Sequence, residues 1–155
     1  MRLAWLSLLG TLWLGCTSPP ANHLQVKPVH LSDLEIDYRR ENQMLHFEKE
    51  RLLYGALSGS ERRARQGHYF WVDWKVADPS LPVSLLLEYR QESTTSQLHR
   101  QVLEIPAGEI KSRNRAEFAV NGPEYAERGR ITSWRLSLRQ EGVELAEEES
   151  FVWHD

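Results

Sequence analysis

His68-Tyr69-Phe70-Trp71-Val72-Asp73-Trp74-Lys75-Val76 is the stretch on which the fold of this 155-residue chain turns. Successive side chains on a strand point to opposite faces, so Phe70, Val72, Trp74 and Val76 share one side. Tyr69, Trp71, Asp73 and Lys75 share the other. The first set is wholly apolar and predicts a strand laid on a core. The second is amphipathic: two aromatic rings beside an acid and a base suit a sugar ring or anchor a protein partner. The competing reading packs a second element over those rings, either residues 45–53 or a short helix.

Downstream, Ala77-Asp78-Pro79-Ser80-Leu81-Pro82 ends this strand, because proline cannot serve a central ladder. Residues 84–90 follow with Leu85, Leu87 and Tyr89 inward and Ser84, Glu88 and Arg90 outward, Leu86 being the exception. Residues 98–105 read as another strand, with a change of parity between Leu98/Val102 and Leu103/Ile105 that predicts a twist or bulge. Ala116, Phe118 and Val120 mark a short strand stopped by Asn121-Gly122-Pro123. Trp134, Leu136 and Leu138 alternate with Arg135, Ser137 and Arg139. Gln140-Glu141-Gly142 is then a hairpin connection to a last strand over residues 143–153. In that strand Glu147 and Glu149 share parity with Val143, Leu145, Phe151 and Trp153. Burying unpaired carboxylates is costly, so either a bulge lies between Ala146 and Glu149 or the strand is an exposed edge.

Upstream, Ser58 and Glu61 have capping-box spacing, and Arg62-Arg63-Ala64-Arg65-Gln66 favours helix until Gly67. One short helix is expected there. Its arginines read as a solvated face, with an anionic-lipid contact as the alternative. Residues 45–53 alternate in parity and are assigned to a strand, since a helix would group Leu45, Lys49, Leu52 and Leu53 into a poor apolar stripe. Leu34-Glu35-Ile36-Asp37-Tyr38 is a further half-buried strand.

Seven to eight short strands at regular intervals with one connecting helix predict an all-β sandwich over residues 31–155. The arrangement resembles the immunoglobulin and fibronectin type III class, without the cysteine pair of antibody domains. Residues 51–70 and 133–153 are similar to stretches of uncharacterised bacterial lipoproteins, which implies no function.

At the N-terminus Arg2 precedes a short apolar run, residues 3–14, too short for a span of about 20 residues but suited to an export signal. Leu14-Gly15-Cys16 resembles the lipobox of bacterial lipoproteins, although Trp13 stands where that family usually has an aliphatic. The resemblance implies cleavage before Cys16, a diacylglyceryl thioether on its sulfur and acylation (palmitate among the chains) of the new N-terminus. One acyl chain anchors only marginally, two or more stably. Thr17, in place of Asp, implies outer-membrane sorting. The expected organisation is a signal peptide over residues 1–15, a tether over 16–30 containing Pro19-Pro20, and the sandwich beyond.

Composition narrows the function. Of the charged residues cleavage removes only Arg2, moving the formal charge from −3 to −4, and nothing suggests the concentrated basic surface of nucleic-acid binders. The single cysteine excludes an internal disulfide. Six histidines, at 23, 30, 46, 68, 99 and 154, lack metal-ligand spacing. His68 and Asp73 would be the best acid–base pair, but their opposite parity separates them. Glu88 and Glu104 are an imaginable carboxylate pair. No nucleophile elbow, phosphate loop or dinucleotide fingerprint occurs. The expectation is a non-catalytic, lipid-anchored interaction module of the cell envelope, on the periplasmic side of the outer membrane, without metal or cofactor. It would contact an envelope protein, or alternatively bind carbohydrate or peptidoglycan through Tyr69 and Trp71.

Overall fold

The computed structural model describes residues 21–32, 43–94 and 96–154. Two antiparallel sheets face one another. The first contains β1 (His23–Leu31), β2 (Gly67–Lys75) and β5 (Asn114–Asn121), in the order β1-β2-β5. The second contains β3 (Val83–Gln91), β4 (His99–Ile105), β6 (Ile131–Gln140) and β7 (Val143–Glu149), in the order β4-β3-β6-β7. This is an immunoglobulin/fibronectin-III-like two-sheet arrangement. Its core joins Phe70, Val72 and Trp74 of β2 to Val83, Leu85, Leu87 and Tyr89 of β3 and Leu136 and Leu138 of β6. Burying each such aliphatic or Phe side chain stabilises the fold by about 1.5–3 kcal/mol.

The domain is not all-β with one short helix; it is a mixed α/β domain. The described residues form three helices, α1 (Gln43–Leu53), α2 (Gly59–Ala64) and α3 (Gly122–Arg128), with 3-10 turns at Glu92–Thr94 and Ala107–Glu109. Residues 45–53 are therefore helical, not a strand. Gln, Met, Leu, Glu, Lys and Arg are strong helix formers, and their propensity outweighs the accidental alternation. The helix buries Lys49 and Leu53, four apart, with Leu52 half-buried beside them. A lysine stem can lie along apolar surface while its charged end finds polar company. The strand expected over residues 34–38 lies outside the described residues, as do Cys16 and the signal segment.

Residues 23–31, most of them assigned to the tether, are instead β1, paired along its whole length with β2. Val26 enters the main core and Val29 and Leu31 the opposite face, so both sides of this strand are used. Pro28 is tolerated because β1 is an edge. The capping box forms as expected. The Ser58 hydroxyl accepts from the Glu61 backbone N–H, and the Glu61 carboxylate accepts from Ser58 N–H at 2.8 Å. Gly67 does not close α2; it opens β2 where that strand crosses β5 so closely that a Cβ would lie 2.3 Å from the Val120 carbonyl oxygen.

At the C-terminus, Glu141 and Gly142 have φ of 50° and 80°, the two positive values that a type I′ hairpin needs. The bulge in β7 falls at Leu145: Leu138 is opposite Ala146, and Arg139 opposite Glu144. It sits earlier than the sequence pattern suggests, and β7 is also the sheet edge. The strand ends at Glu149, leaving Phe151 exposed and Trp153 buried beneath the Arg90 guanidinium, 4.6 Å from the ring centre. No bulge interrupts the β3–β4 ladder; Leu98 and Val102 are simply exposed.

Candidate functional site

The outer face of the three-stranded sheet is where the sequence places a binding surface, and α1 lies on it. Tyr69 and Trp71 are 5% and 9% exposed, in a cluster with Val29, Leu31 and Leu53. The Tyr69 hydroxyl donates to the Arg65 carbonyl at 2.5 Å and accepts from the Asn121 amide at 2.9 Å. Burial pushes its pKa upward. The joint exposure of Tyr69 and Trp71 that stacking against a sugar requires is thus absent, and the covering element is the 45–53 segment in helical form.

Trp71 remains at the floor of a groove of about 430 Å³ between α1 and the sheet, walled by Met44, Phe47, Glu48 and Arg51 on one side and Lys27, Asp73 and Arg115 on the other. The Arg51 guanidinium and the Lys27 ammonium lie 4.9 and 5.7 Å from the Trp71 ring centre, within the range of cation–π attraction. Lys27 also pairs with Glu48. Asp73 does not meet His68; it is held by Arg115 across the β2–β5 ladder at 2.9 Å. Lys75 lines an adjoining polar pocket with His23, Gln25 and Asn114. The predicted face is therefore divided: Tyr69 in the packing, Trp71 and Asp73 lining the groove, and Lys75 in the adjoining pocket.

The wall of that groove continues along the helix. Met44, Phe47 and Tyr54 are 63%, 64% and 85% exposed, spaced as one stripe of the helix and its end, and Leu57 beyond it is 91% exposed. Arg65 fixes this layer from below by donating to the Leu52 carbonyl at 2.9 Å and to that of Tyr54, the C-terminal carbonyls of α1. Arg62 approaches the Ala56 carbonyl at 3.4 Å. Two of the three arginines of the run thus cap backbone instead of simply facing solvent.

No protein-family model matches the chain, and neither a curated protein nor a solved structure shows significant similarity to it.

The structure also assembles a cluster that parity alone could not show. His30 and His68, neighbours on β1 and β2, stack with ring centres 4.0 Å apart. His30 Nε2 is 2.8 Å from the Tyr125 hydroxyl, and His68 Nε2 accepts from the Ile131 N–H at 3.0 Å. Burial, then the neighbouring His30 and Arg130, push the His68 pKa down to about 3. Burial and then Arg130 lower the His30 pKa as well. His68 is thus a packed acceptor and not the surface histidine that its polarity suggests. Glu88 is engaged by Arg100 at 2.8 Å, while Glu104 lies opposite Ser84, four residues further along the ladder. That is a separation of about 13 Å, too far for a shared proton. Among the described residues no group of three or more His, Cys, Asp or Glu is placed to hold a metal ion, and no helix is long and apolar enough to cross a membrane.

Proposed function

We propose that this chain is a lipid-anchored protein of the bacterial cell envelope whose two-sheet domain is a non-catalytic docking module. Acylated Cys16 would hold it on the periplasmic side of the outer membrane, and the exposed face of α1 would receive an envelope protein. The observation that carries this reading is the groove floored by Trp71, with the exposed Met44 and Phe47 of α1 in its wall. Large apolar side chains scattered singly need no explanation, but several contiguous ones rimmed by charge mark contact surfaces. Here the rim is Arg51, Glu48, Arg115 and Asp73. A buried Trp with Arg beside it and apolar tips around it is also the composition of interface hot spots.

Two measurements test the two halves. Fatty-acid labelling of the full chain should be abolished by Cys16→Ser; persistent labelling removes the anchor. A photoreactive amino acid at Phe47 or Tyr54, in intact cells, should crosslink to one defined envelope protein. The same group at Glu141, on the β6–β7 hairpin, should not. Equal crosslinking from all three positions would show that the α1 face is not a docking site.

A further inference from the structure

We propose that the free edge of β4 pairs with β4 of a second copy of this chain, antiparallel and centred on Val102, joining two four-stranded sheets into one of eight strands. This goes beyond the α1 face and does not depend on it.

The two flanks of the sandwich are finished differently. On the β1–β7 flank, Glu148 of β7 reaches across and accepts the Val26 N–H of β1 at 2.5 Å. A carboxylate seated on a backbone donor of an edge strand discourages addition of another strand. On the opposite flank the Gln101 side-chain amide donates from Nε2 to the Ala119 carbonyl at 3.2 Å, linking β4 to β5. β4 is last in its sheet, and among the described residues its backbone has no ladder partner other than β3. Neither a bulge nor an internal proline protects it, and its charges are one of each sign, Arg100 and Glu104. The strand is seven residues long, follows β3 without a bulge and contains no proline before Pro106. Its outward side chains include Val102 at 56% exposure.

The sequence His99-Arg100-Gln101-Val102-Leu103-Glu104-Ile105 is charge-complementary to its own reverse. A two-fold axis at Val102 places Arg100 opposite Glu104 of the second copy, and Glu104 opposite Arg100. It also sets Val102 on Val102 and Gln101 on Leu103. Arg100, Val102 and Glu104 lie on the sheet's outer face, as their ladder partners Glu88, Leu86 and Ser84 require, so both charge pairs form on one accessible side. Arg100 is held in place by Glu88, while Glu104 has no ion-pair partner among the described residues. Neighbouring registers lose this match. Centring on Gln101 puts Arg100 against Val102, and centring on Leu103 puts Glu104 there while drawing in Pro106, which has no N–H to donate. The matched register gives about six to eight inter-chain backbone hydrogen bonds.

The test is a cysteine at the symmetry centre. In the full chain Val102→Cys, the two Cα atoms would lie about 4.5–5.5 Å apart, inside the range that a disulfide spans. Mild oxidation of intact cells should yield a covalent dimer far above that of the unsubstituted chain, whose only cysteine is Cys16. Adding Glu104→Arg, which leaves the Arg100–Glu88 pair intact, should reduce dimer yield at limiting concentration about tenfold, since two pairs are reversed by symmetry. Natively folded Val102→Cys protein giving no dimer above the baseline would overturn the proposal. So would a dimer indifferent to Glu104→Arg, or a disulfide to a protein of another size, which would assign the edge to a different partner.

Discussion

His68 should make this domain lose stability on mild acidification, and the size of the loss follows from its surroundings. The ring is stacked on His30 of β1, faces Tyr125 of α3 and lies near Arg130, and its Nε2 accepts the Ile131 N–H that opens β6. Protonation would turn that acceptor into a donor facing a donor, beside a guanidinium. The folded-state pKa of about 3 lies below the ordinary 6.5, so the unfolded chain takes up the proton first. The contribution is complete above pH 6.5 and is lost as pH falls toward 3. One extra proton on the unfolded chain costs at most about 1.36 kcal/mol per pH unit, so between pH 7 and 4.5 the loss is on the order of 2–3 kcal/mol. Urea unfolding at the two pH values, for wild type and His68→Gln, isolates it, because carboxylates and the other histidines titrate in both. Glutamine keeps an acceptor for Ile131 but no proton in this range. Wild type should lose about 2 kcal/mol more than the variant on acidification. Equal pH dependence, or an NMR titration of His68 near 6.5, would refute the burial argument.

Gly67→Ala should cost about 2–4 kcal/mol in chemical denaturation, because its Cβ would lie 2.3 Å from the Val120 oxygen and 2.6 Å from Asn121 Cα, both backbone atoms of β5. A loss under 0.5 kcal/mol would mean that the β2–β5 crossing is looser than drawn. Ser58→Ala removes the acceptor for Glu61 N–H and should cost about 1 kcal/mol, with the α1–α2 layer opening first in amide exchange. Glu148→Ala strips the charge-assisted bond from Val26 N–H and should cost about 1.5–3 kcal/mol; unchanged stability would show that the β1–β7 flank is closed by packing alone.

The elements legible in the sequence are those with one buried face and one wet one. In β3, Val83, Leu85, Leu87 and Tyr89 are buried and the residues between them are not, and period two is unmistakable. The same holds for Phe70, Val72 and Trp74 of β2 on the core side. α1 inverts the rule: it buries Lys49 and exposes Met44 and Phe47, so the pattern that normally reveals a helix points the wrong way. β1 hid because Val26 and Val29 serve opposite faces and Pro28 stands between them. α3 hid because it buries only Gly122, although Asn121, Pro123 near the first turn and Gly129 after the last are ordinary boundary signals. The candidate groove was half legible. Trp71 and Asp73 were singled out from β2, but Lys27 comes from a segment read as tether, Glu48 and Arg51 from one read as strand, and Arg115 from the start of β5.

What the misread helix changes is the reason for the aromatic residues on β2. A sheet of three strands facing a sheet of four buries one face of each and leaves two outer faces. The four-stranded outer face carries a charge network over β6 and β7: Arg135 pairs with Glu144 and Glu147 at 2.9 and 2.6 Å, and Arg139 with Glu144 at 3.2 Å. The three-stranded face carries Tyr69 and Trp71, which cannot be satisfied that way, and α1 covers them. A helix that buried only apolar residues there would end as a closed layer with a polar back. This one places Lys49 inward and Phe47 outward, and α2 then spends Arg65 on holding its C-terminal carbonyls in position. The arrangement leaves apolar side chains exposed on a braced helix, the kind of surface that the proposed docking would use. Gly55→Ala, strained at φ 80° in the α1–α2 turn and 3.9 Å from the Arg65 guanidinium, tests that link. It should loosen the presentation of Tyr54 and lower crosslinking from that position more than from Phe47; equal loss at both positions would break the link.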